Sequence, residues 1–278
     1  MTRGLLDIED RRLAVEDEGS GPAVLMLHGL GGTTSVFQVQ AEALSSAYRV
    51  LRVDFRGAGR SPVGNGVSIA GHVDDALGVL NSLGIAEVTV VAHSIGTVIA
   101  RFIAARRPDL VTGLALLAPT RAPLPAAVKE RQRNRALRLR AGGTAAIVDE
   151  VLRDAVGRTT REQHPVRAAF VRELVLRQDP EGFARNYEAA AAVEDPGGLP
   201  SGLPVLLMGG EEDELGSVDI AAGLEATSST ARAVTAPQSG HSISIEAPEY
   251  TTTTLNDFLL AVNGDAGRLA GGDVPGAA

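Results

Sequence analysis

A serine, a histidine and a run of carboxylates in this sequence could together activate an oxygen nucleophile. The serine is Ser94, the histidine is His241, and the carboxylates are the four consecutive acidic side chains of residues 211–214. A serine hydroxyl is a weak nucleophile until a base removes its proton, and an imidazole oriented by a carboxylate is suited to that task. These residues are far apart in the sequence, so the chemistry depends on a fold that brings them together.

Ser94 lies in the segment A-H-S-I-G, residues 92–96, between an apolar strand pattern and a helical pattern. This is the context of a nucleophile elbow, whose usual form is G-x-S-x-G. The sharp turn requires small residues two positions before and after the serine, and Ala92 and Gly96 are small. The turn would expose the hydroxyl and place the Ile95 N–H at a helix N-terminus, where it can donate to an oxyanion. A serine that only caps an ordinary helix is the alternative interpretation.

A glycine-rich segment, H-G-L-G-G at residues 28–32, follows the apolar run Val24–Leu27. Its glycines would let a backbone N–H, that of Leu30, approach the oxygen of a reacting carbonyl group. We also expect Gly29 and His93 to line the substrate site. A dinucleotide-binding loop is the rival interpretation, but its G-x-G-x-x-G pattern would need glycine where Thr34 stands.

His241 lies in a loop, S-G-H-S at residues 239–242, between a strand pattern and a helical pattern. A lone histidine is usually structural. A histidine in a loop after the last core strands is nevertheless placed to act as the general base for a serine. The supporting carboxylate should follow the preceding strand, which is the position of the acidic run 211–214.

Short runs rich in Val and Leu, ended by Gly, Pro or Asp, predict strands that are buried on both faces. Helical spacing of apolar residues predicts helices over 69–83, 94–107 and 248–262, the first of them capped by Ser68. Strand–helix alternation indicates an α/β fold, a mostly parallel sheet with helices on both faces. The predicted strands are Ala23–His28, Tyr48–Asp54, Val88–Ala92, Leu114–Ala118 and Pro204–Met208, with weaker ones at Leu13–Val15 and Ala231–Thr235.

The alternation stops between residues 121 and 196, where the pattern is helical throughout. This segment has a net charge of +3, against −11 for the rest of the chain. We predict a core of residues 1–120 and 197–263, a helical lid of 121–196, and a flexible Gly- and Ala-rich tail of 264–278. The lid arginines are either solvated, or they bind an anionic substrate; for the second role we expect Arg133 and Arg135.

The bulk composition excludes several classes of function. The chain has 278 residues, of which 44% are hydrophobic, and a net charge of −8, so we expect neither nucleic-acid nor membrane partners. It has no Cys, which excludes thiol catalysis and is compatible with a cytoplasmic location. No clustering of His and Asp suggests a metal site, so we expect no metal and no cofactor. The expected partner is a small-molecule substrate, bound by a monomer or a homodimer.

Five segments together resemble the α/β-hydrolase superfamily over roughly residues 10–262. The resemblance implies the α/β-hydrolase fold with a helical lid inserted in it, and the chain order Ser, Asp, His. It also implies that the acid stands last in Gly-Glu-x-Asp, which selects Asp213, and that Asp54, Arg56 and Ser61 form a structural turn. The segments are H-G-L-G-G (28–32), D-F-R-G-A-G-R-S (54–61), A-H-S-I-G (92–96), G-E-E-D (210–213) and G-H (240–241).

Residues 176–195 and the H-S-I-G elbow are similar to the 3-oxoadipate enol-lactonases, which open a small lactone that carries a carboxylate. The resemblance implies a serine hydrolase that cleaves a small ester or lactone through an acyl-enzyme, with Ser94, Asp213 and His241 as the triad. Leu30 and Ile95 would form the oxyanion hole. One alternative is hydrolysis of a C–C bond or a thioester on the same scaffold, and another is a non-catalytic protein that binds a small ligand.

Overall fold

An eight-stranded sheet runs through the centre of the computed structural model, which describes residues 2–9 and 11–264. The strand order is β1-β2-β4-β3-β5-β6-β7-β8; β2 is antiparallel to both of its neighbours, and the pairs from β4 to β8 are parallel. The strands are β1 Thr2–Ile8, β2 Arg11–Glu18, β3 Ala23–Leu27, β4 Arg49–Val53, β5 Val88–His93, β6 Val111–Leu117, β7 Val205–Gly210 and β8 Ala231–Ala236.

Both faces of the sheet are covered, because successive residues of each central strand enter different apolar clusters. In β3, Leu25 and Leu27 join one cluster, whereas Val24 and Met26 join the other. Helices α2, α3 and α9 pack on the first face, and α1, α10 and α11 on the second. Their bounds are α1 Gln38–Leu44, α2 Ile69–Ser82, α3 Ile95–Arg106, α9 Ser217–Glu225, α10 Ile243–Glu246 and α11 Pro248–Asn263.

The predicted α/β-hydrolase fold is confirmed, and the structure adds elements that the sequence pattern does not predict. Strand β1 is one of them, because T-R-G-L-L-D-I lacks a continuous apolar run. It pairs with β2, at the edge of the sheet, with Leu6 opposite Leu13.

The predicted cap of α2 is present, since the Ser68 hydroxyl accepts a hydrogen bond of 2.9 Å from the Gly71 N–H.

Between β6 and β7 the described chain consists of helices and loops. The helices are α4 Ala126–Gly142, α5 Val148–Ala155, α6 Arg158–Gln163, α7 Pro165–Leu176 and α8 Pro180–Ala191. They have an apolar core of their own, in which Phe183 stacks on Tyr187 with ring centroids 4.6 Å apart. Leu30, from the glycine-rich loop of residues 28–32, packs against this core. The helical segment therefore covers that loop.

Hydrogen bonds also join this helical segment to the sheet domain. The Gln178 side chain donates to the Gly31 carbonyl oxygen at 3.2 Å and accepts from the Gly59 N–H at 3.2 Å. At Gly182 the backbones approach so closely that a Cβ atom would lie 2.2 Å from the Gly57 carbonyl oxygen. The predicted flexible tail lies outside the described residues, apart from Gly264. Within residues 2–9 and 11–264, no helix combines the length and apolarity that a membrane span requires.

The contact at Gly182 generates a stability prediction. Gly182→Ala would press a methyl group against the Gly57 main chain, and such overpacking costs about 1–3 kcal/mol. We therefore expect the free energy of unfolding in urea to fall by that amount. Gly223→Ala is the matched control, because Gly223 also lies in a helix but has open space around it; there alanine should stabilise by up to about 1 kcal/mol. Equal stabilities of the two variants would contradict the close approach.

Candidate active site

Ser94 occupies a sharp turn between β5 and α3. Its backbone has φ 55° and ψ −126°, a conformation with positive φ that a residue with a side chain rarely adopts. The turn is tight because α3 passes close to the strand beside it: a Cβ on Gly96 would lie 2.7 Å from the His28 carbonyl oxygen. Ala92 is fully buried, so a larger side chain would not fit there. The local geometry is therefore that of a nucleophile elbow.

Three side chains form a continuous hydrogen-bond chain at the carboxyl ends of the parallel strands. Nε2 of His241 lies 2.8 Å from the Ser94 hydroxyl oxygen, and Nδ1 lies 2.8 Å from Oδ2 of Asp213. Ser94 follows β5, Asp213 follows β7 and His241 follows β8, so the topology places all three at one edge of the sheet. With its proton on Nδ1, the imidazole donates to the carboxylate and its Nε2 accepts from the hydroxyl.

Asp213 is held as an anion. Its side chain is fully buried, which alone would raise the pKa of the carboxyl group. The interaction with His241, together with hydrogen bonds from Ser217 and from the Leu215 N–H, outweighs burial and lowers the pKa to about 2. A carboxylate that stays ionised can orient the imidazole and stabilise it when it takes up a proton.

The other three carboxylates of the run 211–214 do not reach His241. Glu211 accepts a hydrogen bond from the Gln238 N–H at 2.8 Å, and Glu212 binds the main chain and hydroxyl of Thr159. Glu214 is exposed. Of the four acidic residues that the sequence offers, the structure therefore brings Asp213 to the histidine.

The electrostatics of the site favour uptake of a proton by His241. Burial would lower the pKa of its imidazole, but the charge of Asp213, the hydrogen bond to it, and the charges of Glu246 and Asp154 raise that pKa above its ordinary value of 6.5. The neighbouring His93 behaves differently, since burial and the charge of His241 lower its pKa to about 3.

Neutral His93 supports the loop that carries His241. Its Nε2 donates to the His241 carbonyl oxygen at 2.7 Å. Gly29 lies against the His93 ring, and a Cβ on this glycine would come within 2.7 Å of the Ser94 Cβ. The structure therefore places both residues beside the serine. His93 contacts the His241 main chain, and Gly29 leaves room for the turn.

The two residues whose N–H groups are predicted to bind an oxyanion are Leu30 and Ile95. Both line the same cavity as Ser94 and His241. Ile95 is the first residue of α3, so its N–H has no acceptor within that helix. Among the described residues, the Leu30 N–H makes no backbone hydrogen bond in a turn or loop. A helix N-terminus with free N–H groups attracts negative charge.

Two cavities meet at Ser94 and His241. The larger has a volume of about 190 Å³ and extends between the sheet domain and α4. The smaller has a volume of about 50 Å³ and is mostly apolar, with Val151, Val171 and Leu174 in its wall. Polar and charged side chains are found in the larger cavity, and those of the helical segment are Arg121, Arg131 and Gln132.

The expected roles of Arg133 and Arg135 in substrate binding need correction, because neither lines these cavities. The Arg133 side chain is 59% exposed and faces Glu130 at 3.8 Å. Arg135 is buried against Glu150 and Asp154, with its guanidinium over the Tyr187 ring. Both arginines therefore pair with acidic residues of the helical segment itself.

Arg131 and Gln132 line the larger cavity instead, and no motif in the sequence singles them out. With Val128 they stand at positions i, i+3 and i+4 of α4, which share one face of a helix. The helical period puts Arg133 on a different side of α4 from this face, so the sequence alone distinguishes the two positions. The direction in which this face points depends on how α4 packs on α8, and the sequence pattern does not reveal that packing.

The sequence profile described as the alpha/beta hydrolase fold matches residues 22–164. The chain belongs to this family. The chain is 26% identical over 268 residues to 2-(acetamidomethylene)succinate hydrolase of Mesorhizobium japonicum, across 92% of this chain and 94% of that protein. The resemblance inferred from the sequence motifs is therefore confirmed at the level of the family.

Two solved structures extend the comparison. An esterase from Thermogutta terrifontis with malate bound superposes on this chain with a TM-score of 0.87 and 27% identity, covering 95% of this chain and 100% of that one. An enol-lactonase from Burkholderia xenovorans gives a TM-score of 0.83 and 27% identity, covering 92% and 99%. These relatives are hydrolases with the same arrangement of sheet and helices.

The pKa of His241 generates a prediction about pH dependence. A general base must be neutral, so kcat/KM should fall as the pH drops through the raised pKa of this histidine, and the midpoint should lie above pH 6.5. Asp213→Asn removes the main charge that opposes the effect of burial. The midpoint should then move to lower pH, and kcat should fall by roughly 10⁴-fold. A midpoint that stays in place would assign the acid limb to another group.

Proposed function

We propose that this protein is a serine hydrolase that cleaves small carboxylic esters or lactones through an acyl-enzyme. One observation carries the proposal: the Ser94 hydroxyl lies in a nucleophile elbow, 2.8 Å from an imidazole that is itself 2.8 Å from a buried carboxylate. The names of the relatives support it, since they include an esterase and an enol-lactonase. All three triad positions are occupied, which disfavours a protein that only binds a ligand.

In the proposed reaction, Nε2 of His241 takes the proton of Ser94 while the serine oxygen attacks the carbonyl carbon. The carbonyl oxygen becomes an oxyanion, to which the N–H groups of Leu30 and Ile95 donate. Collapse of this intermediate breaks the bond to the leaving oxygen, which takes the proton from His241. In a lactone that oxygen stays attached to the acyl chain. His241 then deprotonates a water molecule, which attacks the acyl-enzyme and releases Ser94 with its proton.

The dimensions of the two cavities limit the substrate to a small molecule. With the reacting carbonyl at Ser94, the cavity of about 50 Å³ has room for a short apolar group. The cavity of about 190 Å³ would take the larger and more polar part. A long acyl chain fits neither of them. The proposal therefore concerns short esters and small lactones.

We further propose that the preferred substrate carries a carboxylate, held by Arg131. This arginine lines the larger cavity, its Nε has no hydrogen-bond partner within the described chain, and its nearest carboxylate, Asp154, is 3.4 Å away. Gln132 beside it is buried, and its Oε1 also lacks a partner there. A guanidinium can bind a carboxylate through two parallel N–H groups. Two relatives support this proposal: one is an esterase with malate bound, and the other is a hydrolase of a substituted succinate.

We also propose that the enzyme is cytoplasmic, that it is a monomer or a homodimer, and that it binds neither nucleic acid nor membranes. The net charge of −8 and the absence of Cys support them.

Ser94→Ala tests the nucleophile. We expect hydrolysis of p-nitrophenyl acetate to fall by roughly 10³-fold or more, because removal of a triad member leaves only binding and oxyanion stabilisation. Ser228→Ala is the control, since Ser228 lines neither of the two cavities and hydrogen-bonds with Thr230. A panel of esters, lactones, thioesters and vinylogous diketones measured with both variants then identifies the bond. Rapid turnover of the diketone or the thioester alone would replace the ester assignment, and undiminished activity of Ser94→Ala would refute the serine mechanism.

Arg131→Met tests the anionic substrate. We expect kcat/KM for a monoester of a dicarboxylic acid to fall by roughly 10- to 100-fold, as for loss of one hydrogen-bonded charge pair, with little change for the neutral methyl ester. Arg133→Met is the matched control, because it removes the same charge from the solvent side of the same helix. Equal losses on the charged and neutral esters would give Arg131 a structural role.

A further inference from the structure

Part of the helical segment is wedged between the loops that carry Asp213 and His241. The wedge comprises residues 155–160, between the end of α5 and the start of α6. A Cβ on Gly157 would lie 2.7 Å from the Gly240 nitrogen, and one on Gly240 would lie 2.3 Å from the Gly157 nitrogen. In addition, the Ser242 N–H donates to the Ala155 carbonyl oxygen at 3.0 Å. The two backbones are therefore in direct contact on both sides of His241.

Glu246 joins the wedge to the histidine loop. Its side chain is buried, with 3% of the residue exposed. Oε2 accepts from the Gly157 N–H at 2.7 Å and from the Gly240 N–H at 3.1 Å, and Oε1 accepts from the Ser242 N–H at 2.9 Å. One carboxylate thus binds the residues immediately before and after His241, together with one residue of the wedge.

Glu212 makes the corresponding connection on the other side. Its carboxylate accepts from the Thr159 N–H at 2.7 Å and from the Thr159 hydroxyl at 2.5 Å. Glu212 precedes Asp213 directly, so this contact ties the wedge to the loop that carries the acid. The same wedge therefore touches both loops that must hold their triad members in register.

We propose that Glu246 is a positioning residue for the reaction, because it fixes the main chain on both sides of His241 to the wedge of residues 155–160. The helical segment then helps to orient the general base, in addition to covering the substrate. This inference rests on the proposed function, since it assigns His241 as the base. A carboxylate is suited to the role because it has two acceptor oxygens and no donor, and hydrogen bonds to an ion are the stronger kind.

A glutamine at this position would keep the size of the side chain but not its hydrogen bonding. Its single carbonyl oxygen could accept from one side, while its NH₂ group would face an N–H donor on the other. The histidine loop would then lose one or two of its three contacts with Glu246. Displacement of a catalytic group by about 1 Å can cost roughly 100-fold in rate, even when substrate binding is intact.

Glu246→Gln is therefore the direct test, assayed well below its melting temperature with p-nitrophenyl acetate. We expect kcat to fall by roughly 10- to 100-fold while KM changes by less than about twofold. Glu249→Gln is the matched control, because Glu249 lies three residues further along, has a side chain that is 81% exposed, and makes only a long contact with Arg167. Its kcat should equal that of the wild type.

A pH profile separates positioning from general destabilisation. The charged neighbours of His241 are Asp213, Glu246 and Asp154, and all three raise the pKa of its imidazole against the effect of burial, while His93 lies beside it. Removal of the Glu246 charge should move the acid limb of kcat/KM to lower pH. A purely structural role would lower the melting temperature and leave both kcat and this midpoint unchanged, which would overturn the inference.

Glu246→Asp keeps the inference testable if Glu246→Gln fails to fold. Its carboxylate retains the charge but is one methylene shorter, so it cannot reach all three N–H groups. We expect an intermediate loss of kcat with the acid midpoint preserved, and full activity would contradict the positioning role. If the wild type hydrolyses no ester and reacts with no fluorophosphonate, the proposed function fails. If the wild type is active and Glu246→Gln retains its kcat, this inference alone fails.

Discussion

The site depends on one backbone constraint, the positive φ angle of Ser94 between β5 and α3. This sharp turn lifts the Ser94 hydroxyl away from the sheet and starts a helix directly behind it, so that Ser94 and Ile95 line the same cavity. Such strained backbone persists only where the surroundings over-determine it. Here the surroundings include Gly96 against the His28 carbonyl and Gly29 against the serine Cβ, contacts that leave no volume for a side chain.

The order of the parallel strands then brings the other groups to the serine. Asp213 and His241 follow neighbouring strands, and the buried carboxylate stays ionised although burial opposes its charge. The helical segment contributes in two ways. It closes the cavities beside Ser94, and through the wedge of residues 155–160 it contacts the loops of both the acid and the base. Under the proposed function, one structural unit would both cover the substrate and orient the triad.

Much of the fold could be predicted from the sequence, and so could Ser94, Asp213 and His241 as candidates, because each strand and each of these residues lies in a local pattern. Buried strands appear as short apolar runs, and the elbow requires small residues at 92 and 96. Properties that depend on distant packing were not predictable. The edge strand β1 has a weak pattern, and the outward position of Arg133 depends on how α4 packs. Glu246 contacts Gly157, which is 89 positions away in the chain, and no local pattern relates the two.

The most direct test of the central claim is to locate the covalent intermediate. The protein would be mixed with a slowly hydrolysed p-nitrophenyl ester, quenched in acid within the burst phase, and digested with trypsin for mass spectrometry. No Lys or Arg interrupts residues 61–100, so Ser94 should be recovered in one peptide that ends at Arg101. The account predicts one acyl group per chain, on Ser94. Turnover without any acylated peptide, or with the acyl group on another residue, would contradict it.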